Sequence, residues 1–230
     1  MNILALDTSS RAASCAVMQG DGLVSEFFAN TGLTHSQTAL PMVEALLAQS
    51  RISPKDIDVF AVCTGPGSFT GLRIGIAAVK GMALPANTPC AGVSTLLTLA
   101  AGVCLFEGYI CPVMDARREQ VYTSLFESDG KHLIRLREDE ALPIGQLGEV
   151  LGGLSSRVSL VGDGAQLCYN ALSGSLPVLL PPERFLHQRA SALAAAARDM
   201  AERGELIGAN DLAPSYLRLP QAERERLEAR

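Results

Sequence analysis

Two hydrophobic patterns follow one another along the first half of the chain and predict strands followed by helices. Short runs rich in Ile, Leu, Val and Phe, bounded by Gly, Asp or Arg, are typical of strands. Longer stretches with apolar residues three and four positions apart are typical of helices that bury one side. The predicted strands cover 2–7, 14–18, 23–28, 57–63 and 89–93. The predicted helices cover 34–50, 70–84 and 96–106, so the first six elements have the order βββαβα.

The second half repeats this order of elements without repeating the residues. Its predicted strands cover 109–114, 120–126, 132–137 and 158–161, and its predicted helices cover 144–151 and 165–172. Two βββαβα units predict an α/β protein of the actin-like (ribonuclease H-like) fold, with the second unit reduced. We expect an N-terminal subdomain over 1–106, a C-terminal subdomain over 107–190 and a tail over 205–230. An alanine-rich helix over 191–204 is expected to pack back on the first subdomain.

One helix in the first half has no polar side. It begins after the turn Gly-Pro-Gly, where Ser68 is placed to accept a backbone N–H as N-cap. Gly67, Gly71 and Gly75 recur every four residues, which removes side chains from one face and lets another backbone approach. A phosphate loop is the alternative, but Leu72 follows Gly71 where the Walker pattern requires lysine. Spacing alone therefore favours tight packing of this helix.

Composition and charge narrow the class of protein. With 19 Lys and Arg against 24 Asp and Glu, the net charge is −5, whereas a chain that binds nucleic acid alone needs an excess of clustered Lys and Arg. The six cysteines form no Cys-x-x-Cys pair and lie mostly in apolar runs, which predicts free buried thiols. The start of the chain lacks the features of a signal peptide, and no apolar run approaches about 18 residues. We expect a cytoplasmic protein that does not contact membranes.

The candidate chemistry lies in the loops that follow the first strand of each half. Actin-like ATPases hold hydrated metal with an aspartate in these loops and admit phosphate through a glycine. The first loop keeps the aspartate but has no glycine, and bulky arginines follow the aspartate of the second. The residues of this vestigial nucleotide site are Asp7, Thr8, Ser9, Asp115, Gly162 and Gly164. Ordinary turns explain the same residues equally well, so we expect weak or absent hydrolysis.

No catalytic or metal centre is predicted. The three histidines, His35, His132 and His187, form no His-Glu-x-x-His motif and no pair at helical spacing. No triad or paired-carboxylate arrangement can be identified from spacing. A metallopeptidase is therefore disfavoured.

Three strings of residues carry a resemblance to a known family. The string TGPGSFTGLRIG, together with MDARREQVY and the late APSYLR, resembles the TsaB family, also called YeaZ. The resemblance is dense in the first half and sparse in the second. TsaB is the smaller actin-like subunit of the bacterial machinery that forms threonylcarbamoyladenosine beside the anticodon of tRNA.

The resemblance implies a non-catalytic subunit that binds and supports a TsaD-type catalytic paralogue, with a TsaE-type ATPase joining the assembly. It also implies a homodimer when the chain is alone, contact with tRNA only through the complex, and no cofactor held by this chain alone. ATP or ADP with magnesium could bind in the assembled complex. The alternative is a stand-alone actin-like ATPase or kinase. The expected partner interface comprises His35, Ala39, Met42, Val43, Leu46, Gly71, Leu72, Gly75, Ile76 and Val79.

Overall fold

The chain folds into two five-stranded sheets, each built from one half of the sequence. The computed structural model describes residues 1–218, so residues 219–230, the end of the expected tail over 205–230, lie outside the described residues. The first sheet contains β1 (Asn2–Asp7), β2 (Ala13–Gln19), β3 (Gly22–Ala29), β4 (Val59–Gly65) and β5 (Cys90–Ser94). The second contains β6 (Gly108–Asp115), β7 (Gln120–Ser128), β8 (Leu133–Pro143), β9 (Val158–Val161) and β10 (Val178–Leu179).

The two sheets share one topology. Their strand orders are β3-β2-β1-β4-β5 and β8-β7-β6-β9-β10. In each, the first strand lies at the centre, antiparallel to the second and parallel to the fourth. Short turns connect the antiparallel strands, while helices connect β3 to β4, β4 to β5, β8 to β9 and β9 to β10. This duplication is the actin-like plan that the order of elements predicts.

Six α-helices within residues 1–218 cover the faces of these sheets. They are α1 (His35–Ser50), α2 (Phe69–Ala83), α3 (Thr95–Ala101), α4 (Ile144–Gly152), α5 (Ala165–Leu172) and α6 (Ala190–Glu202). Helices α1 and α2 pack on one face of the first sheet, and α4 and α5 pack on one face of the second. None of the helices within residues 1–218 is both long and apolar enough to cross a lipid bilayer.

Alternation along β1 divides the first core into two layers. Leu4 and Leu6 join the cluster formed with α1 and α2, whereas Ile3 and Ala5 join the cluster formed with α6. The last helix thus lies on the first sheet, and its inward face is almost entirely alanine, which brings the helix close to the strands. In exchange, α3 contributes Leu96 and Leu99 to a core of the second sheet. The two exchanged helices also contact each other.

Two element boundaries differ by several residues from the sequence-based expectations, and one strand was not predicted. Helix α3 ends at Ala101 instead of reaching 106, because the chain turns from Gly102 onwards. Strand β8 continues to Pro143, although residues 138–140 are acidic, because Glu138 is exposed to water on this edge strand while Asp139 and Glu140 pair with Arg135 and Arg137. Strand β10 was not predicted, since two residues carry no periodicity.

Candidate functional site

A cleft of about 380 Å³ separates the loops that follow the central strands of the two sheets. Ser9, Ser10 and Arg11 line one side, after β1. Asp115 and Arg117 line the other side, after β6. Both loops follow the carboxyl ends of central strands, and of the predicted nucleotide-site residues the structure places Ser9 and Asp115 on opposite sides of this one cleft.

The carboxylate of Asp7 is buried and does not line this cleft. Only 1% of the residue is exposed, and Oδ1 accepts a hydrogen bond from the backbone N–H of Ser9 at 3.2 Å. Burial raises the pKa of Asp7 above its ordinary value, and the Ser9 hydrogen bonds oppose this only in part. The side chain therefore behaves as a loop-stabilising group of the core and does not present an oxygen to a hydrated metal ion.

The N-terminal turn of α2 packs directly on the first loop, the residues that follow β1. The backbone N–H of Ser68 donates to the carbonyl of Ser9 at 2.7 Å, and the Thr8 hydroxyl donates to the carbonyl of Gly71 at 2.8 Å. Ser68 caps α2 as expected, its hydroxyl accepting from the N–H of Gly71 at 3.2 Å. These bonds hold α2 directly against the residues that would surround a phosphate in an actin-like ATPase.

The glycine stripe of α2 serves this contact within the chain. A Cβ on Gly67 would lie 2.4 Å from the carbonyl oxygen of Ser9, and one on Gly71 would lie 2.1 Å from that of Thr8. A Cβ on Gly75 would meet the Thr8 hydroxyl at 2.4 Å. The close approach predicted from the sequence exists, and the approaching backbone is the first loop of the same chain.

The second loop is held by two aspartates. The N–H of Asp115 donates to Oδ1 of Asp163 at 3.1 Å, and Oδ1 of Asp115 accepts from the N–H of Arg117 at 2.7 Å. Burial raises the pKa of Asp163, although the hydrogen bond from Asp115 opposes the shift. Gly162 and Gly164 allow the turn after β9 to pack on β6, since a Cβ on Gly162 would lie 2.1 Å from the carbonyl oxygen of Val113.

The C-terminal segment completes the rim of the cleft, which the sequence did not indicate. Ser215 donates its N–H to the carbonyl of Thr64 at 2.8 Å. Tyr216 stacks on Phe69 with ring centroids 5.1 Å apart, and its hydroxyl accepts from Nε of Arg73 at 3.0 Å. Arg218 then crosses to the second half and donates to the carbonyl of Ala116 at 2.9 Å. The APSYLR string marked this segment, but nothing local identified its contacts.

Most residues chosen from the sequence as a partner interface face the core instead. The sheet and the first loop already cover them, so they have no surface to offer a second chain. These buried residues are Ala39, Val43, Leu46, Gly71, Leu72, Gly75, Ile76 and Val79. His35 and Met42 are half-buried, and the Nε2 atom of His35 lies 2.7 Å from the carbonyl of Ser10.

A different set of residues forms the outer side of the junction between α1 and α2. A Cβ added at Gly71 would lie 3.3 Å from the ring of His35, so the two helices approach each other on the flanks that carry these residues. Helical spacing places the remaining members along those flanks, and all are at least partly exposed. This surface, termed the seam face, comprises Thr38, Met42 and Ala45 of α1 and Ile74, Ala78 and Met82 of α2. It carries no charged side chain.

Asp7→Asn should flatten the pH dependence of stability. A raised pKa in the folded protein stabilises the fold fully below the unfolded value near 4, and this contribution is lost as the pH rises through the folded pKa. At pH 8 the carboxyl ionises freely in the unfolded chain but only at a cost in the folded core, and the amide does not titrate, so the melting temperature should rise by about 2 to 4 °C. Thermal unfolding between pH 5 and 8 measures this, with exposed Glu44→Gln as control. Equal pH slopes for the parent and Asp7→Asn would contradict the assignment.

Clusters suited to metal are not found near this cleft or elsewhere in the described part of the chain. No three His, Cys, Asp or Glu side chains within residues 1–218 converge to hold an ion. All six cysteines are free, and burial raises the pKa of Cys111 to about 12, which keeps this thiol protonated.

Comparisons with known proteins agree with one another. A family model described as "TsaD: tRNA N6-adenosine threonylcarbamoyltransferase" matches residues 22–224. Two curated relatives are named "tRNA threonylcarbamoyladenosine biosynthesis protein TsaB". The Bacillus subtilis protein is 32% identical, over 100% of this chain and 99% of its own length. The Escherichia coli protein is 36% identical, over 95% of each.

Solved structures show the same relationship at the level of the fold. YeaZ from Pseudomonas aeruginosa has a TM-score of 0.83 at 28% identity, covering 94% of this chain and 99% of that one. The activator of 2-hydroxyisocaproyl-CoA dehydratase from Clostridium difficile, solved with bound ADPNP, has a TM-score of 0.51 at 12% identity, covering 89% and 97%. The second likeness is one of fold alone and confirms the predicted actin-like ATPase plan. Near-complete coverage at more than 30% identity establishes that the chain belongs to the TsaB (YeaZ) family of tRNA threonylcarbamoyladenosine biosynthesis proteins.

Proposed function

We propose that this chain is a non-catalytic subunit that binds a TsaD-type catalytic paralogue and holds it in its competent state. The partner would then transfer the threonylcarbamoyl group to the adenosine beside the anticodon. A TsaE-type ATPase joins the same assembly, and tRNA reaches this chain only as part of the complex. The family name supports the pathway, and the match to a TsaD model supports a paralogous partner of the same fold.

The observation that carries the non-catalytic role is the closed first loop. In an actin-like ATPase, backbone amides of this loop point at phosphate. Here the carbonyl of Ser9 accepts from the N–H of Ser68, and Asp7 is buried away from the cleft. The loop lacks the glycine that would let a phosphate approach its backbone. To bind a metal ion and a nucleotide for turnover, the first loop would have to break the hydrogen bonds that hold α2 in place.

The seam face is the surface that we assign to the partner. Its six side chains include three large apolar ones, Met42, Ile74 and Met82, and small residues that let a second pair of helices pack closely. The equivalent helices of an actin-like paralogue would form a four-helix contact. A second copy of this chain presents the same face, so a homodimer would form when the partner is absent and would compete with the complex.

Ala45→Asp tests this assignment. The residue is exposed in the single chain, so the fold should tolerate the change, whereas an unpaired carboxylate at the centre of an apolar contact should weaken association at least tenfold. Leu40→Asp is the matched control, because Leu40 is also exposed on α1 and projects about 140° away around the helix.

The measurements are binding to the TsaD-type partner and threonylcarbamoyladenosine formed on tRNA in the reconstituted reaction. We expect Ala45→Asp to lose both and Leu40→Asp to retain both. Full binding by Ala45→Asp would refute the seam face as the interface. Nucleotide turnover by the pure chain, abolished by Asp7→Ala, would refute the non-catalytic role.

A further inference from the structure

Four arginines surround the mouth of the cleft, on the side where α2 meets the C-terminal segment. Arg11 and Arg117 line the cleft itself. Arg73 lies over the ring of Phe69, its guanidinium carbon 3.9 Å from the centroid. Arg218 donates to the carbonyl of Ala116, next to Arg117. We call these four residues the arginine rim.

The arginine rim is short of carboxylate partners. Within residues 1–218, Arg11, Arg73 and Arg218 form no ion pair, and Arg117 pairs only with Asp115, at 3.5 Å with its own side chain 84% exposed. Several arginines elsewhere are paired locally: Arg135 with Asp139, Arg137 with Glu140 and Arg203 with Glu205. Asp163 is the other carboxylate that lines the cleft. A chain of net charge −5 therefore concentrates positive charge at one place.

The backbone directs Arg117 outwards at a conformational cost. Arg117, Arg118 and Glu119 have φ values of 66°, 55° and 57°, and none of them is glycine. Left-handed conformations cost about 1 kcal/mol or more for such residues, and three in succession persist only because neighbouring bonds fix the loop. The Asp115 carboxylate supplies one of these bonds to the N–H of Arg117. A loop with strained backbone that holds a charged side chain in solvent is typical of binding sites.

Two exposed aromatic rings adjoin the arginine rim. Phe69 and Tyr216 stack on each other, and each keeps more than a third of its surface exposed. Nucleic-acid-binding proteins use such rings to stack on unpaired bases, beside cations that track the phosphates. An acidic protein surface would match the arginines but gives no reason for the aromatic surface that Phe69 and Tyr216 leave exposed. The combination therefore favours RNA over an acidic peptide.

We propose that the arginine rim contacts the phosphodiester backbone of tRNA while the TsaD-type partner holds the same molecule, with Phe69 and Tyr216 against an unstacked base. This inference rests on the proposed function, because the chain alone has too little positive charge to retain RNA. The arginines of this subunit then contact a part of the tRNA that the catalytic subunit does not reach.

The test compares two double variants in the complex with the TsaD-type partner. Arg11→Gln with Arg117→Gln removes two cations of the arginine rim. Arg51→Gln with Arg157→Gln removes two exposed arginines elsewhere, at the same cost in net charge. Binding of an unmodified tRNA transcript is measured across a range of salt concentrations, and the affinity of each variant for the partner is measured without RNA.

We expect the rim variant to bind tRNA about tenfold more weakly and to lose about 2 from the slope of log affinity against log salt concentration. Its affinity for the partner should equal that of the parent, and the control variant should match the parent in both assays. Unchanged tRNA affinity and slope for the rim variant would refute this proposal alone. Loss of partner affinity by the rim variant would also refute it and assign the arginines to a protein contact. Failure of the parent chain to bind the partner would instead refute the proposed function.

Discussion

Gly71→Ala is expected to destabilise the fold by about 2 kcal/mol, although alanine is the better helix former. The new Cβ would lie 2.1 Å from the carbonyl oxygen of Thr8, which is a backbone atom and cannot rotate away. Relief requires α2 to move from the first loop, which breaks the hydrogen bond from the Thr8 hydroxyl to Gly71. Overpacking of this kind typically costs 1 to 3 kcal/mol, and the gain of about 1 kcal/mol in helix propensity offsets only part of it.

Gly81→Ala is the matched control on the same helix. A Cβ at Gly81 meets nothing within 4 Å, so only the propensity term applies and the variant should be unchanged or up to about 1 kcal/mol more stable. Urea unfolding measures the stability of both variants, and a shift in the midpoint at an unchanged dependence of the unfolding free energy on urea concentration gives the change in stability. If the two variants shifted the midpoint alike, α2 would not be held against the first loop as described.

Glu26→Ala is expected to cost about 3 kcal/mol at pH 7 by releasing the start of α6. The side chain is only 9% exposed and accepts hydrogen bonds from Arg189 Nη2 at 2.7 Å and from both the N–H and the hydroxyl of Ser191 at 2.9 Å. Its carboxylate thus caps the helix from a neighbouring strand. The substitution leaves a helix N–H and a partly buried guanidinium without this partner. Removing one member of a buried pair is costly because the other member stays buried without its hydrogen bonds.

Acid should weaken the same contact in the parent protein. Burial alone would raise the pKa of Glu26, but the hydrogen bonds from Arg189 and Ser191 outweigh it and hold the pKa below its ordinary value. The contribution is therefore present above the unfolded pKa, near 4.3, and is lost as the pH falls through the folded pKa. The urea midpoints of the parent and Glu26→Ala should differ at pH 7 and converge as the pH falls below about 4.

Asp21→Asn provides the comparison for Glu26. Asp21 also joins the β2–β3 hairpin to α6, through Arg198 at 2.7 Å, but its side chain is 90% exposed. Water screens this pair, so the variant should lose no more than about 1 kcal/mol. A loss for Asp21→Asn as large as that for Glu26→Ala would show that burial does not distinguish the two contacts.

The order and type of the elements could be predicted because each leaves a local pattern in the sequence. Strand β1 is apolar on both faces, and α2 has glycines at a four-residue spacing. Such patterns report that a face is buried, and they do not report what buries it. The stripe of Gly71 and Gly75 was assigned to a partner, whereas the covering group is Thr8, more than sixty residues earlier in the chain.

Contacts between distant parts of the chain were harder to predict for the same reason. Glu26 and Arg189 are separated by 163 positions, and Arg218 reaches Ala116 across 102. No periodicity connects residues so far apart. The aspartates of the two loops were recognisable because each directly follows a buried strand, and the cleft between them follows from the duplicated topology. The arginine rim depends on side-chain directions that only the folded chain defines.

The exchange of α3 and α6 has a consequence for how the molecule can be divided. The first sheet takes its covering helix α6 from the far end of the second half of the sequence, so a polypeptide stopped after α3 would leave Ile3, Ala5 and Ala16 facing water. The first sheet is therefore not finished until the ribosome has made nearly the whole chain. The nascent chain must expose this hydrophobic surface until α6 has been synthesised. The first sheet can therefore complete its native packing only after the last fifth of the sequence has begun to emerge.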